Sequence, residues 1–247
     1  MDKPKVFNVY DLEPVRNVCN QTLREVISLP EVSMAHVTMQ PKAESLLHKH
    51  EKLSEIYFIL AGLGILYSGK NFSAVSKKDY HVLQPRTSHK LFNIGTEELE
   101  HLVFSHPKFD PGDVILLKDE GKDYESEKEK SRNPECIQHI IAQDGASIYE
   151  LFTEDEKRDF KFGLAVGHLH AGKESIPHYH KETEEVYYAL SGNGVASIDK
   201  EEHQIQKGSV VHIGVGEVHS LQNTSKGNLS VLCLSSPAYK DEDFFKD

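Results

Sequence analysis

Tryptophan is absent from this 247-residue chain, and cysteine and methionine occur three times each. Long apolar runs are missing too. The longest, Ile56 to Tyr67, covers twelve residues and is broken by Gly62 and Gly64, against the roughly twenty that a bilayer-spanning helix needs. Cys19, Cys136 and Cys233 are widely spaced, odd in number and outside any C-x-x-C pair. That pattern excludes a disulfide framework and a zinc knuckle and leaves ordinary thiols. Positive charge is scarce: 28 Lys and Arg against 39 Asp and Glu give a net charge of −11. Such a surface repels phosphate backbones and anionic lipid, so neither nucleic acid nor membrane is an expected partner. The start, Met1-Asp2-Lys3-Pro4-Lys5-Val6, lacks the apolar stretch of a secretory signal, and the expected compartment is the cytoplasm. Gly and Pro number 16 and 10, too few for collagen or low-complexity disorder.

What is present is a duplication. Shifting the chain by 130 positions, without a gap, aligns residues 34–113 with 164–243 and gives 20 identities in 80 positions, among them Glu44/Glu174, Tyr57/Tyr187, Ser105/Ser235 and Pro107/Pro237. Between the copies, Lys118 to Pro134 is almost all Lys, Asp, Glu and Ser, a solvated linker by composition. The expected organisation is an N-terminal domain 1–117, a linker 118–134 and a C-terminal domain 135–247.

Within each copy, short apolar runs and closely spaced turn residues point to β-structure rather than long helices. Ile56–Leu60, a Gly turn and Ile65–Tyr67 read as a hairpin, repeated at Val186–Leu190 and Val195–Ile198. Further strands are expected at Met34–Met39, His81–Gln84 and Leu99–Ser105, with partners at Leu164–Leu169, Val210–Ile213 and Leu229–Leu234. Helix is expected only at Pro111–Leu117 and Asp241–Asp247. Many short strands at this spacing build a sandwich or small barrel.

The copies agree best where chemistry is possible. His48-Lys-His50, Glu55, His89 and Asn93 in the first recur as His178-Tyr-His180, Glu185, His219 and Asn223 in the second. Residues two apart on a strand share a face, so each H-x-H pair aims both imidazoles into one space. A carboxylate and a third imidazole from other strands complete a set of three His and one Glu. Such a set suits Fe, Mn, Co, Ni or Zn rather than Ca or Mg, and it leaves an octahedral ion two open positions. One divalent transition metal per half is the expected cofactor, held by His48, His50, Glu55 and His89 and by His178, His180, Glu185 and His219. Glu184 points to the opposite strand face from Glu185. His168 and His170, matched by Thr38 and Gln40, are expected as solvated strand histidines.

The pattern G-x5-H-x-H-x4-E-x6-G, a gap of fifteen, then G-x5-P-x-G-x2-H-x3-N resembles the two motifs of the cupin superfamily, and two copies resemble a bicupin. The second copy fits through Gly172, His178, His180, Glu185, Gly192, Gly208, Gly216, His219 and Asn223, with Gly214 at the Pro position. The first keeps the ligands, Gly62 and Asn93 but has Lys42, Lys78, Gln84 and Arg86 at the Gly, Gly, Pro and Gly positions. These replacements bear on turn geometry, because Gly often marks φ > 0. The resemblance implies an all-β fold of two tandem antiparallel jelly-roll barrels, each with a metal at its centre. The closing P-x-[FY]-x3-D of each copy, ending at Asp113 and Asp243, is similar to the tail of small microbial cupins.

Strand alternation places Tyr57 and Ile59 inward in the first barrel, and Tyr187 and Ala189 in the second, giving the second more room. Each tyrosine either donates to a bound oxyanion, acts as a general acid, or only packs. Arg86 either clamps a substrate anion or lies at the surface. Glu217 is either a base in the second barrel or a turn residue. With these readings the expected function is a metal-dependent enzyme acting on a small polar or aromatic organic molecule, a dioxygenase first. A sugar or keto-acid isomerase or epimerase comes second and a non-enzymatic small-molecule binding protein third. The second barrel, closer to the family pattern, is the expected catalytic one, and a homodimer is the expected assembly.

Overall fold

The computed structural model describes residues 4–119 and 131–247; residues 120–130 of the expected linker lie outside the described residues. The chain forms two compact units, Leu12–Asn133 and a second made of Pro134–Asp247 together with the segment up to Asp11. The expected N-terminal boundary at residue 1 is corrected accordingly. Val6–Asn8 pairs antiparallel with Ser209–Ile213, Val6 opposite Val211 and Asn8 opposite Ser209, and so joins the second barrel's sheet. The backbone continues the attachment, with Val9 N–H donating to Gly208 O at 2.9 Å. A Cβ at Gly208 would lie 2.7 Å from the Tyr10 ring, whereas the first copy has Lys78 at the matching position.

Each unit is two antiparallel sheets with apolar side chains between them. In Leu12–Asn133 the six-stranded sheet runs Val15–Arg16, Thr22–Ser28, Ser33–Met39, Leu99–His106, Ser54–Ala61, Tyr80–Leu83. Its five-stranded partner runs Val114–Leu116, His48–His50, His89–Asn93, Leu63–Ser68, Asn71–Ser76. The core draws from both: Val37, Tyr57, Leu83 and Leu99 from the first, Leu66, Val75 and Leu91 from the second. The other unit repeats this with Ser209–Ile213, Glu184–Ser191, Leu229–Ser236 and Gly163–Leu169 against Asn193–Ile198 and His219–Asn223. Its core holds Tyr187, Val211 and Val231 with Ala196, Ile198 and Leu221. Fully burying one such aliphatic side chain contributes roughly 1.5–3 kcal/mol, so each unit has a core of its own.

All six of the strands expected outside the hairpins are present, within one or two residues of their expected ends. The two expected helices are not. Pro111–Asp113 and Asp241–Asp243 are single 3-10 turns followed by edge strands Val114–Leu116 and Phe245–Lys246. Each pairs with an H-x-H strand, Val114 opposite His50 and Phe245 opposite Tyr179; strand pairing overrides a weak local helix preference. One short α-helix, Glu156–Asp159, was not anticipated.

Two motif positions explain themselves. Gly62 and Gly192 have φ of 87° and 88°, and a Cβ there would meet the carbonyl oxygens of Glu98 and Asn228 at 2.6 and 2.7 Å. Only glycine fits. Asn93 and Asn223 are turn clamps: Asn93 Nδ2 donates to Met39 O and Glu97 O, both at 2.9 Å, and Asn223 repeats this with Leu169 O and Gly227 O at 2.7 and 2.8 Å.

The non-glycine replacements in the first copy do not change its turns. Lys42, Lys78 and Arg86 hold φ of 65°, 74° and 68°, where Gly172, Gly208 and Gly216 hold 67°, 84° and 82°. The surrounding fold imposes a left-handed backbone on side chains that rarely adopt it, at about 1–2 kcal/mol each. At Arg86 the reason is visible: its N–H donates to His50 O at 2.6 Å, as Gly216 N–H does to His180 O at 2.7 Å. The turn anchors the second histidine of each pair.

Candidate functional site

The ligand set assembles across the two sheets of each barrel. His48 stands directly opposite His89, and His178 opposite His219, on neighbouring strands of the five-stranded sheets. Glu55 and Glu185 project from the facing sheets on Ser54–Ala61 and Glu184–Ser191. In each barrel one donor atom from each of the four residues lies within 4.8 Å of the other three, and all eight residues are buried. His89 Nε2 is 3.1 Å from Glu55 Oε2 and His50 Nε2 3.6 Å from Oε1. In the second barrel His219 and His180 Nε2 are 3.2 and 3.5 Å from Glu185 Oε2. Imidazole centroid separations are 4.2, 5.2 and 5.7 Å in the first and 4.2, 5.1 and 5.5 Å in the second. The altered turn residues of the first copy leave its donor geometry matched to the second.

The donor set fits a transition-metal ion. Backbone carbonyls take up the Nδ1–H of five imidazoles: Leu46 O from His48, Thr87 O from His89, Ile176 O from His178, Glu217 O from His219 and Asp243 O from His180, at 2.8–3.0 Å. Each bond turns an Nε2 lone pair toward the cluster. The Nε2 atoms of His50, His180 and His219 are buried with no hydrogen-bond partner among the described residues, an arrangement that stays unfavourable without a ligand. Burial, with the neighbouring imidazole second, pushes His48 and His178 down to about 4, so both are neutral donors at pH 7. Burial alone would raise Glu55 and Glu185. The adjacent imidazoles, His50 and His89 in one barrel and His180 and His219 in the other, outweigh it and hold both carboxyls below the usual range. One metal per barrel is what these two clusters can hold.

The tyrosines turn toward the carboxylates. Tyr57 OH donates to Glu55 Oε2 at 3.2 Å and Tyr187 OH to Glu185 Oε2 at 2.6 Å. Burial, reinforced by the glutamate charge, raises both phenols well above their usual range. They orient the carboxylates as neutral donors.

Arg86 and Glu217 take no place in the clusters, a correction to their catalytic readings. The Arg86 side chain is 76% exposed and its Nε pairs with Glu51 at 3.1 Å, because a positive-φ turn throws it outward. Glu217 accepts from Gly214 N–H at 2.8 Å and pairs with Lys5, closing its own turn. Glu184 faces away and pairs with His212. His168 is half-buried rather than solvated, bonded to Ser230 Oγ at 2.9 Å and edge-on to Tyr149; His170 meets Asn228 at 3.1 Å.

Residues to which the sequence reading gave no site role also shape the sites. Asp113 Oδ2 accepts from Lys52 and Leu53 N–H, both at 3.1 Å, and Asp243 from Lys181, Glu182 and Thr183 N–H at 2.8–3.2 Å. The closing motif thus ties down the loop between H-x-H and Glu, and its repeated Asp was the available signal. His101, wholly buried, packs 5.0 Å from Tyr57 with both ring nitrogens unpartnered among the described residues. Burial, with His36 second, pushes it down to about 3. Its counterpart in the 130-residue shift is Val231, so an imidazole replacing an inward aliphatic was visible there.

The barrels differ most in free space. A cavity of about 560 Å³ opens beside His178, His180, Glu185 and Tyr187, walled largely by apolar side chains. The extra room expected in the second barrel comes from other positions than Ala189, which is buried in the sheet and forms no part of the wall. Gly167 and Cys233 line the cavity where the first barrel packs Val37 and Val103 into its core.

A family model described as Cupin domain matches residues 35–105 and again 165–235. The uncharacterized protein MJ1618 of Methanocaldococcus jannaschii is 33% identical over 107 residues, 43% of this chain and 86% of that protein. Among solved structures, the oxalate decarboxylase of Bacillus subtilis, described with Mn(II) centres, matches at TM-score 0.70 and 16% identity, covering 97% of this chain and 79% of that one. The formate complex of Lactobacillus farciminis oxalate decarboxylase matches at 0.74 and 16%, covering 100% and 89%. Vicilin from tomato matches at 0.75 and 13%, covering 96% and 86%. At such identities the likeness shows the fold, and a fold does not select a reaction.

Proposed function

Because this chain belongs to the cupin family, with one cupin domain in each half, we propose that it is a metal-dependent enzyme whose working site is in the second barrel. The observation that carries this reading is the cavity of about 560 Å³ beside His178, His180 and Glu185, a volume in the range of small-molecule sites. A divalent transition ion bound there, Fe, Mn, Ni, Co or Zn, supplies Lewis acidity and open positions for oxygen donors. The three imidazoles would hold it, Glu185 would balance its charge, and Tyr187 keeps the carboxylate aimed. Apolar walls exclude water and accept the body of an organic substrate, aromatic ones included. The first barrel, with the same donors and with Val37 and Val103 packed where the second has Gly167 and Cys233, serves as a structural or auxiliary metal site.

The favoured reaction is an oxygenation. Elemental analysis of protein purified without added metal, then oxygen uptake with catechols, flavonols and diketones, tests it; retained metal without uptake on any of them would remove the oxygenase. A second reading, isomerisation or epimerisation of a keto acid, draws support from a carboxyl group in the cavity wall, Asp144, and is separated by turnover without oxygen.

A further inference from the structure

The 130-residue shift stops short of a second correspondence. The turn Ala142–Ala146 repeats Asn17–Gln21 at a spacing of 125. Asn17 N–H bonds Gln21 O and Ala142 N–H bonds Ala146 O, each at 2.9 Å, while Leu46 N–H and Ile176 N–H bond Cys19 O and Asp144 O, each at 2.9 Å. Asn20 and Gly145 both carry positive φ, 65° and 93°. Asp144 therefore occupies in the second barrel the place that Cys19 occupies in the first. Cys19 is buried, and burial pushes its thiol up to about 12; it offers no proton chemistry at pH 7. Asp144 forms part of the cavity wall. Its Oδ1 accepts from Ala146 N–H at 3.0 Å, and the titratable groups close enough to interact with it electrostatically are Glu185, Tyr187, His219, Cys233 and Tyr239.

The cavity wall is otherwise poor in charge that could hold a small anion. Lys157 is its lone lysine or arginine, and it is already paired with Glu150 and Glu154, each at 2.8 Å. Ile140 and Ile141, 54% and 65% exposed, stand at the wall too and give it an apolar approach. A site of this volume and lining matches a molecule with an apolar body and one polar end. The four-donor cluster accepts paired oxygens at that end.

We infer that the second-barrel cavity takes a 2-oxo acid or similar carbonyl compound with an apolar body, its oxygens at the His178, His180, Glu185 and His219 cluster, and that Asp144 exchanges its acidic proton. In that step a C3–H bond breaks, the proton passes to an Asp144 carboxylate oxygen, and the bonding pair forms the C2=C3 bond of an enolate with the charge on oxygen. The reverse transfer restores the ketone, and no oxidant or reductant is consumed. The inference rests on the second cluster being a metal centre.

The test uses the full chain loaded with Mn(II) in oxygen-free buffer. Calorimetry compares phenylpyruvate, pyruvate and oxalate, and NMR follows deuterium entry at C3. Phenylpyruvate should bind at least about tenfold more tightly than pyruvate or oxalate, the increment expected for burying a phenyl ring. Gly167→Val with Cys233→Val, the first barrel's own residues, should erase that advantage and leave pyruvate binding intact. Should the pair fail to fold, Cys233→Val alone should shrink the advantage about threefold. Asp144→Asn should keep phenylpyruvate binding within about threefold and slow deuterium entry at least tenfold. Tighter oxalate binding, an advantage surviving both cavity variants, or unchanged exchange in Asp144→Asn would each overturn the inference. Phenylpyruvate preference and exchange without any net turnover would uphold it and remove the oxygenase and isomerase readings. Equal binding by metal-free protein would remove the metal premise instead.

Discussion

The two barrels carry the same donors at the same separations and differ in what surrounds them. In the first, Val37 and Val103 stand where the second has Gly167 and Cys233, and Gln21 stands where the second has Ala146. The cavity of about 560 Å³ lies in the second barrel, and at the matching positions the first packs Val37 and Val103 into its core. The first also keeps three turn residues in left-handed backbone that the second gives to glycine. Ligand geometry is thus the property both halves retain, while the cavity of about 560 Å³ is a feature of the second. The metal set comes from strand register, whereas the cavity depends on side-chain volume, which can change without disturbing register.

The sharpest way to break this asymmetry is to remove donors. His178→Ala with His180→Ala should lower turnover by more than about a hundredfold, and His48→Ala with His50→Ala by less than about tenfold, while each pair lowers metal from two ions per chain to one. Kinetics with elemental analysis checks both, and the reverse order would move the working site to the first barrel. The hairpin glycines come next. Gly62→Ala and Gly192→Ala each drive a Cβ against a carbonyl oxygen at 2.6 or 2.7 Å and should destabilise their own barrel by at least about 2 kcal/mol in denaturant melts.

Loss of the phenol should weaken metal binding in both barrels by about tenfold or more. Tyr187→Phe should exceed Tyr57→Phe, because its bond to the carboxylate is 2.6 rather than 3.2 Å; competition against a chelator measures this. Acid separates the halves more gently. His101 and His81, pushed down by burial to about 3 and about 4, have no buried imidazole counterparts in the second barrel, where Val231 and Val211 stand. An imidazole neutral when folded takes up its proton only on unfolding, so stability is lost as pH falls from about 6.5 toward these values. The metal-free first barrel should therefore unfold before the second over pH 6.5 to 4, seen by residue-resolved NMR. Smallest of all, Lys42→Gly, Lys78→Gly and Arg86→Gly should each stabilise the first barrel by about 0.5–1 kcal/mol. No gain would mean that their side-chain contacts offset the backbone strain.

Much of this was legible before any coordinates. The H-x-H pairs, the glutamates and the third histidines announce themselves by recurring at a constant shift, because a metal set tolerates neither a change of donor nor a slip of register. The glycines at 62 and 192 are equally readable, since the turn admits nothing else. Tyr57 and Tyr187 were placed inward by alternation, yet their direction toward the glutamate oxygens was not, as a phenol on a strand has several partners within reach. Arg86 and Glu217 kept two readings open for the converse reason: a residue two or three from a ligand is close in sequence, but the positive φ of Arg86 sends its side chain to the surface and Glu217 is taken up by its own turn and Lys5. The last segments read as helices because their short polar-apolar pattern is ambiguous; pairing with the H-x-H strands decided them.

No helix among the described residues is long and apolar enough to cross a membrane, in keeping with the short apolar runs. The amino-acid order alone settled the duplication, the β character and the eight donors, because each leaves a periodic or repeated mark on the chain. Tertiary structure alone decided that the N-terminal segment completes the second barrel, that Asp144 stands where Cys19 stands, and that a cavity opens beside the second cluster. Those facts depend on distances between segments far apart in the chain and on volumes summed over several side chains, and neither quantity is written at any one position.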